Sequence, residues 1–249
     1  MSTTLITGAS SGLGAETARQ LAARGHDLAL CARRTDRLEA LRTEILAAHP
    51  VRRVEVRALD VTDDDQVLEV FEGFRDDFGH LDRFVVNAGV SHGAPVGTGG
   101  WATNRATVMT NVVAALCQSE VAMQVLRDQG RGQLVMVSSM AALRGLPGAQ
   151  ATYAATKAAV AHLVEGLRVE LQGRSDIVLT VLYPGFIESE MNPPTGRRNP
   201  LMSSTEKGVA AMVAAMEKQV GSACVPALPW APLSVLLRHA PISLLRRLL

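Results

Sequence analysis

A phenol and an amine, the side chains of Tyr153 and Lys157, lie four positions apart in a chain of 249 residues with only two tyrosines and three lysines. In a helix that offset places both side chains on one face. A free tyrosine has a pKa of about 10, so bringing it to neutrality requires roughly three units, or on the order of 4 kcal/mol. One ammonium at about 4 Å, in an effective dielectric near 20, is worth about 4 kcal/mol. The pair therefore suits general acid–base work on an oxygen. An amphipathic helix with a surface Tyr and Lys is the plainer alternative, and the rest of the sequence weighs against it.

A second constellation opens the chain. Thr3 to Thr7 reads as a strand and ends in Gly8-Ala9-Ser10-Ser11-Gly12-Leu13-Gly14 before a helical segment. Glycines at this turn let backbone N–H groups approach a pyrophosphate, which the helix N-terminus then stabilises. The spacing G-x-x-x-G-x-G differs from both G-x-G-x-x-G and the phosphate-loop motif. About 20 residues on, the second apolar run ends in Ala32-Arg33-Arg34, where a dinucleotide fold meets the adenosine ribose. Two arginines in place of an acid accommodate a 2′-phosphate, so the expected cofactor is NADP(H).

The elements that must position these groups alternate along the chain. Apolar runs at Thr3–Thr7, Asp27–Ala32, Val54–Leu59, Arg83–Asn87, Gln133–Ser138 and Ile177–Leu182 are separated by helical patterns near 12–24, 36–48, 64–78, 101–128, 151–173 and 205–219. This predicts an α/β fold: a doubly wound parallel sheet of about seven strands, Rossmann-type, with helices on both faces. No repeat or linker divides the chain, so residues 1–249 are expected to form a single dinucleotide-binding and catalytic domain. Within it, 190–206 is proline-rich and aperiodic and is expected to be a substrate loop. Residues 228–249 form an apolar tail with basic punctuation. Three readings of this tail stand: packing within the protein, a flap over a lipophilic substrate, or peripheral contact with a membrane.

Composition narrows the function classes. Twenty-five Lys plus Arg balance 24 Asp plus Glu, so the basic footprint of a nucleic-acid binder is missing. Cys31, Cys117 and Cys224 are odd in number and lack metal-ligand spacing, as do the six histidines, so no metal is expected and a reducing compartment is. The N-terminus lacks a signal-peptide pattern, and the apolar uncharged stretch Gln219 to Leu237 carries three prolines. A cytoplasmic protein without a transmembrane segment is expected.

The motifs Thr7-Gly8-x-x-x-Gly12-x-Gly14 and Tyr153-x-x-x-Lys157 resemble those of the short-chain dehydrogenase/reductase family, and the likeness covers nearly the whole chain. Asn87-Ala88-Gly89 resembles that family's N-A-G turn, Asp60-Val61 its adenine contact, and Asn111 its helix asparagine. Pro184-Gly185-Phe186-Ile187-Glu188-Ser189 resembles the segment around the nicotinamide, with Ser189 where threonine is common. The resemblance implies a catalytic set of Asn111, Ser139, Tyr153 and Lys157. In it Tyr153 protonates the substrate oxygen, Ser139 orients it, Lys157 lowers the tyrosine pKa and binds the ribose, and Asn111 holds a water. Cofactor contacts would come from Gly8, Ser10, Ser11, Gly12, Leu13, Gly14, Arg33, Arg34, Asp60, Val61, Asn87, Ala88, Gly89, Tyr153, Lys157, Pro184, Gly185, Ile187 and Ser189. Two departures stand out. Ser139 and Tyr153 are fourteen residues apart, one more than is usual, and Val86 replaces a second asparagine before the N-A-G turn.

The expected activity is NADPH-dependent hydride transfer to a ketone or aldehyde of apolar character, or from a secondary alcohol in reverse. Met140, Leu143, Phe186 and Met191 suggest an apolar pocket. A non-catalytic NADP(H)-sensing protein on the same fold is the alternative, and it has no physical need for Ser139, Tyr153 and Lys157 together. The family also implies a homodimer or homotetramer.

Overall fold

The computed structural model describes residues 2–173, 176–191 and 200–243. Seven strands run parallel in one sheet: β1 (Thr3–Thr7), β2 (Asp27–Ala32), β3 (Val54–Ala58), β4 (Arg83–Val86), β5 (Arg131–Val137), β6 (Asp176–Pro184) and β7 (Ser222–Val225). Their order is β3-β2-β1-β4-β5-β6-β7. The chain moves outward one way from β1, then returns to start β4 beside it, so a crevice opens at the carboxyl ends between the two halves. β1 and β4 are buried at every residue, because helices cover both faces and leave no solvent side for alternation.

On one face α3 (Asp64–Phe78), α5 (Ala114–Gln129) and α6 (Gln150–Leu171) close a core containing Phe71, Phe74 and Phe84, with the Phe71 and Phe84 ring centroids 5.7 Å apart. On the other, α1 (Gly12–Ala23), α2 (Thr35–Ala48) and α7 (Thr205–Glu217) cover Ile6, Leu28, Leu30 and Leu182. The acidic start of the third helix is capped by Asp63, whose carboxylate accepts from the Gln66 N–H, and the helix ends at Gly79 with φ +72°, a left-handed cap that favours glycine.

Two elements depart from the sequence expectation. The helix expected over 101–128 is α4 (Trp101–Val108), a π turn at Met109–Val113, then α5. Extra-residue turns of this kind have no compositional signature. The seventh strand, Ser222–Val225, lies inside the proline-bearing uncharged stretch and is followed by α8 (Ala227–His239), broken at Leu228 (φ −103°, ψ 133°). This first part of the tail packs on the protein: Trp230 and Ala240 are buried, and Arg144 donates to the Ala240 carbonyl at 3.0 Å. Residues 244–249 of the tail, and 192–199 of the expected substrate loop, lie outside the described residues. Among the described residues no helix is long and apolar enough to cross a membrane.

The amino ends of the strands hold a buried polar network. Arg83, the first residue of β4, donates from Nε to Gln133 Oε1 at 2.6 Å and pairs with Glu217 at 3.0 Å. Gln133 donates in turn to Thr180 Oγ1 (2.8 Å) and the Met216 carbonyl (3.2 Å), and His26 Nε2 lies 3.3 Å from the same Glu217 oxygen. The network ties β4, β5 and β6 to α7.

Candidate active site

The glycine turn closes because three residues there leave room for backbone. Gly8 and Gly12 take φ of +66° and +53°, a region that favours glycine. A Cβ on Gly14 would stand 2.4 Å from the Gly8 carbonyl oxygen and 2.7 Å from Asn87 Nδ2. The N-terminus of α1 carries no side-chain cap at Ser11, so its first N–H groups are available to an anion. Asn87 seals the turn to β4 by donating from Nδ2 to the Thr7 carbonyl at 2.9 Å. Thr7 Oγ1 accepts from the N–H groups of Asn87 (3.1 Å) and Ala88 (3.2 Å). Thr7 was legible only as part of a motif; its hydroxyl is what joins the two turns.

At the catalytic end, Ser138 and Ser139 follow β5. The Ser138 hydroxyl donates to the Lys157 carbonyl at 2.7 Å. Ser139 Oγ accepts from the Ala141 N–H at 3.1 Å and lies near enough to the Tyr153 hydroxyl to draw its pKa down. Lys157 is buried and donates from Nζ to the Val137 carbonyl at 2.9 Å. A Cβ at Gly89 would lie 3.3 Å from that ammonium and 3.2 Å from Asn111 Oδ1, so the N-A-G turn lies directly over both groups.

Electrostatics here differ from the expectation that Lys157 lowers the tyrosine pKa. Burial raises Tyr153 above the usual phenol value, and the opposing influence is the neighbouring Ser139 hydroxyl. Burial also lowers Lys157 to about 8. The physical reason is that the ammonium meets a neutral carbonyl rather than a carboxylate and has lost water.

The side chain of Asn111, held by the π turn, bonds to two neighbouring segments. Its Oδ1 accepts from the Val90 N–H at 2.9 Å, and its Nδ2 donates to the Val90 carbonyl (2.8 Å) and Thr156 Oγ1 (3.1 Å). Both amide hydrogens are committed to protein, so the side chain fixes the segment after β4 against α6.

On the adenosine side, Arg34 donates to Ser10 Oγ (3.3 Å) and Ser11 Oγ (2.6 Å). Arg33 is exposed and near enough to Asp60 to help lower its pKa, chiefly set by the Thr62 N–H that Asp60 accepts at 3.0 Å. Val61 is buried beside it, and Leu13 packs on the α1–α2 core. On the opposite wall Pro184 and Ile187 are buried, and Ser189 faces Gly12, where a Cβ would be 3.3 Å from the serine Cβ.

The expected apolar pocket is only partly as composed in sequence. Met140 is buried, whereas Phe186 and Met191 are exposed. Phe186 meets Trp230 edge to face at 5.4 Å, and the indole lies against Gly185, where a Cβ would overlap it at 2.0 Å. Trp230 was missed as a site residue because it lies 45 positions from Gly185 in sequence, and no local pattern links them.

A strand-to-helix glycine cradle with free donors fits a dinucleotide pyrophosphate, and the adjoining Ser–Tyr–Lys group fits proton transfer at a carbonyl or alcohol. Among the described residues no cluster of His, Cys, Asp or Glu could hold a metal ion.

Comparison with known proteins gives the same picture. The short chain dehydrogenase family model matches residues 2–200. An uncharacterized oxidoreductase of Mycobacterium tuberculosis is 49% identical over 243 residues, covering 98% of this chain and 95% of that protein. Levodione reductase of Leifsonia aquatica is 34% identical over 75% of this chain and 70% of its own. The solved short-chain dehydrogenase from Sphingobium yanoikuyae in complex with NADPH superposes with a TM-score of 0.84 at 26% identity, over 99% of this chain and 96% of that one.

Proposed function

The chain belongs to the short-chain dehydrogenase/reductase family and is an oxidoreductase, and from that premise we propose that it is an NADP(H)-dependent carbonyl reductase acting on a ketone or aldehyde of apolar character. The observation that carries this reading is the convergence of Ser139, Tyr153 and a buried Lys157 at the same sheet end as the glycine turn. The bound nicotinamide supplies the hydride, or accepts it in the reverse direction. Tyr153 carries the proton that neutralises the developing alkoxide. Ser139, whose oxygen already accepts from the Ala141 N–H, keeps its own O–H to direct at the substrate oxygen. Lys157 brings positive charge close to the reacting oxygen and to the ribose hydroxyls, and Asn111 positions the turn that covers it.

Arg33 and Arg34 support a 2′-phosphorylated nucleotide, since Ala32 ends β2 where an acid would favour the 2′-hydroxyl. The Sphingobium relative bound to NADPH and the relative named levodione reductase support the same reading. Exposed Val113 and Leu116, with Leu163 and Leu167 in the groove between α5 and α6, support a homo-oligomer through these helices; sedimentation reads it directly.

The test is a fluorescence titration with NADPH and NADH, followed by a panel of carbonyl substrates. NADPH is expected to bind at least about tenfold tighter, a difference of about 1.4 kcal/mol, with the preference reduced by Arg33→Ala. Tyr153→Phe is expected to bind nucleotide and lose turnover. Equal binding of both nucleotides overturns the NADP(H) assignment. Nucleotide binding with no turnover of any carbonyl or alcohol favours the sensing protein instead.

A further inference from the structure

One ion-pair cluster stands outside the catalytic account and lies across the dinucleotide groove. Arg34, just after β2, and Arg37, in the first turn of α2, form one wall, and Glu190, six residues after β6, reaches them from the other. Glu190 Oε2 takes Arg34 Nη2 at 3.0 Å, while Oε1 pairs with Arg37 Nη1. The Arg34 Nη2 that meets Glu190 also donates to Ser11 Oγ at 2.6 Å, in the phosphate turn itself. The walls come together here, as the approach of Gly12 to Ser189 records. The two guanidinium groups pull the Glu190 carboxyl down to about 2, so it is an anion throughout the physiological range.

We infer that Glu190 is a built-in competitor for the nucleotide 2′-phosphate, and that Arg37 joins Arg34 as a specificity-determining residue. This rests on the NADP(H) reading above. A phosphate monoester carries about −1.5 to −2 charge and three acceptor oxygens, against one charge and two oxygens on Glu190, so it outbids the carboxylate for the same pair of forks. All three side chains are 42–52% exposed. Pairs this wet are weak, so the exchange is readily reversible and tunes affinity by a modest factor. NADH has no 2′-phosphate and draws nothing from the exchange. The carboxylate thus lowers NADPH affinity selectively, and the protein holds the phosphorylated nucleotide less tightly than its arginines alone would allow.

The experiment measures dissociation constants for NADPH and NADH by nicotinamide fluorescence in wild type, Glu190→Gln, Arg37→Ala and the double variant. All three positions are surface sites, and a thermal melt of each variant verifies folding. Glu190→Gln is expected to tighten NADPH about three- to tenfold and leave NADH within twofold; Arg37→Ala is expected to weaken NADPH and shrink the gain from Glu190→Gln. Equal tightening of both nucleotides would mean that Glu190 only closes the groove, and weaker NADPH binding in Glu190→Gln would mean that it holds the arginines in place. Either result, or no change, overturns the inference. The NADP(H) reading is judged separately, by the wild-type preference: a wild type that favours NADH sinks that reading even if Glu190→Gln moves the ratio toward NADPH.

Discussion

Lys157, on α6, and Arg83, on β4, are buried cations at opposite ends of one sheet, and the two ends treat them in opposite ways. At the amino ends Arg83 meets Gln133 and Glu217, in the network that joins β4, β5 and β6 to α7. At the carboxyl ends Lys157 donates to the Val137 carbonyl and, among the described residues, pairs with no carboxylate, and burial takes it to about 8. A buried charge with a carboxylate and an amide around it secures a structure. A buried charge without a counter-ion costs stability, and the protein retains it where chemistry needs it.

The largest effect that sharpens this contrast is Lys157→Met. Turnover is expected to fall about 10³-fold, while the nucleotide-free protein gains thermal stability of about 3–5 °C at neutral pH. The sign follows from proton counting: between about 8 and the ordinary 10.5 the unfolded chain binds more protons than the folded one, so wild-type stability rises with pH across that window. A variant that loses both activity and stability would erase the distinction between the ends.

Glu217→Gln should behave in the reverse manner. Removing the carboxylate leaves Arg83 buried without a counter-ion, which costs 3–5 kcal/mol for a fully buried pair. Here the Glu217 side chain is 37% exposed, and water takes up part of the loss, so about 2 kcal/mol and a melting point about 5 °C lower are expected. Activity per folded molecule should be unchanged.

The smallest effect belongs to His26. Burial lowers its pKa from 6.5, against the pull of Glu217. The folded state therefore binds fewer protons than the unfolded one just below pH 6.5, and stability falls as pH drops through that range. His26→Gln is expected to flatten the slope of denaturant midpoint against pH between 6.5 and 5, by less than about 1 kcal/mol. An unchanged slope would mean that other groups carry the acid sensitivity of this end.

Much of this arrangement was legible in the chain, and for identifiable reasons. The runs of β1, β2 and β4 showed as strands because burial on both faces makes them nearly continuous. The glycine turn was readable because positive φ and backbone contact exclude other residues at Gly8, Gly12 and Gly14. Tyr153 and Lys157 were readable because helical periodicity alone brings them to one face. β7 was not, since four residues just ahead of a proline give no periodicity. Nor was the commitment of Asn111 to Val90 and Thr156, which depends on a π turn. Arg37 and Glu190 lie 153 positions apart and carry types common on any surface, so only the folded geometry relates them.

The indole of Trp230 resting on Gly185 also bears on motion. The wall at Pro184–Ser189 is completed by a residue from α8, a helix whose other described residues are exposed or only half-buried. Lifting that one ring bares Gly185 while the sheet stays intact, an opening with a free energy well below that of global unfolding. The Gly185 N–H stays bonded to the Val225 carbonyl of β7, so exposure of the Trp230 indole is the signal that should report on α8 before the strands open.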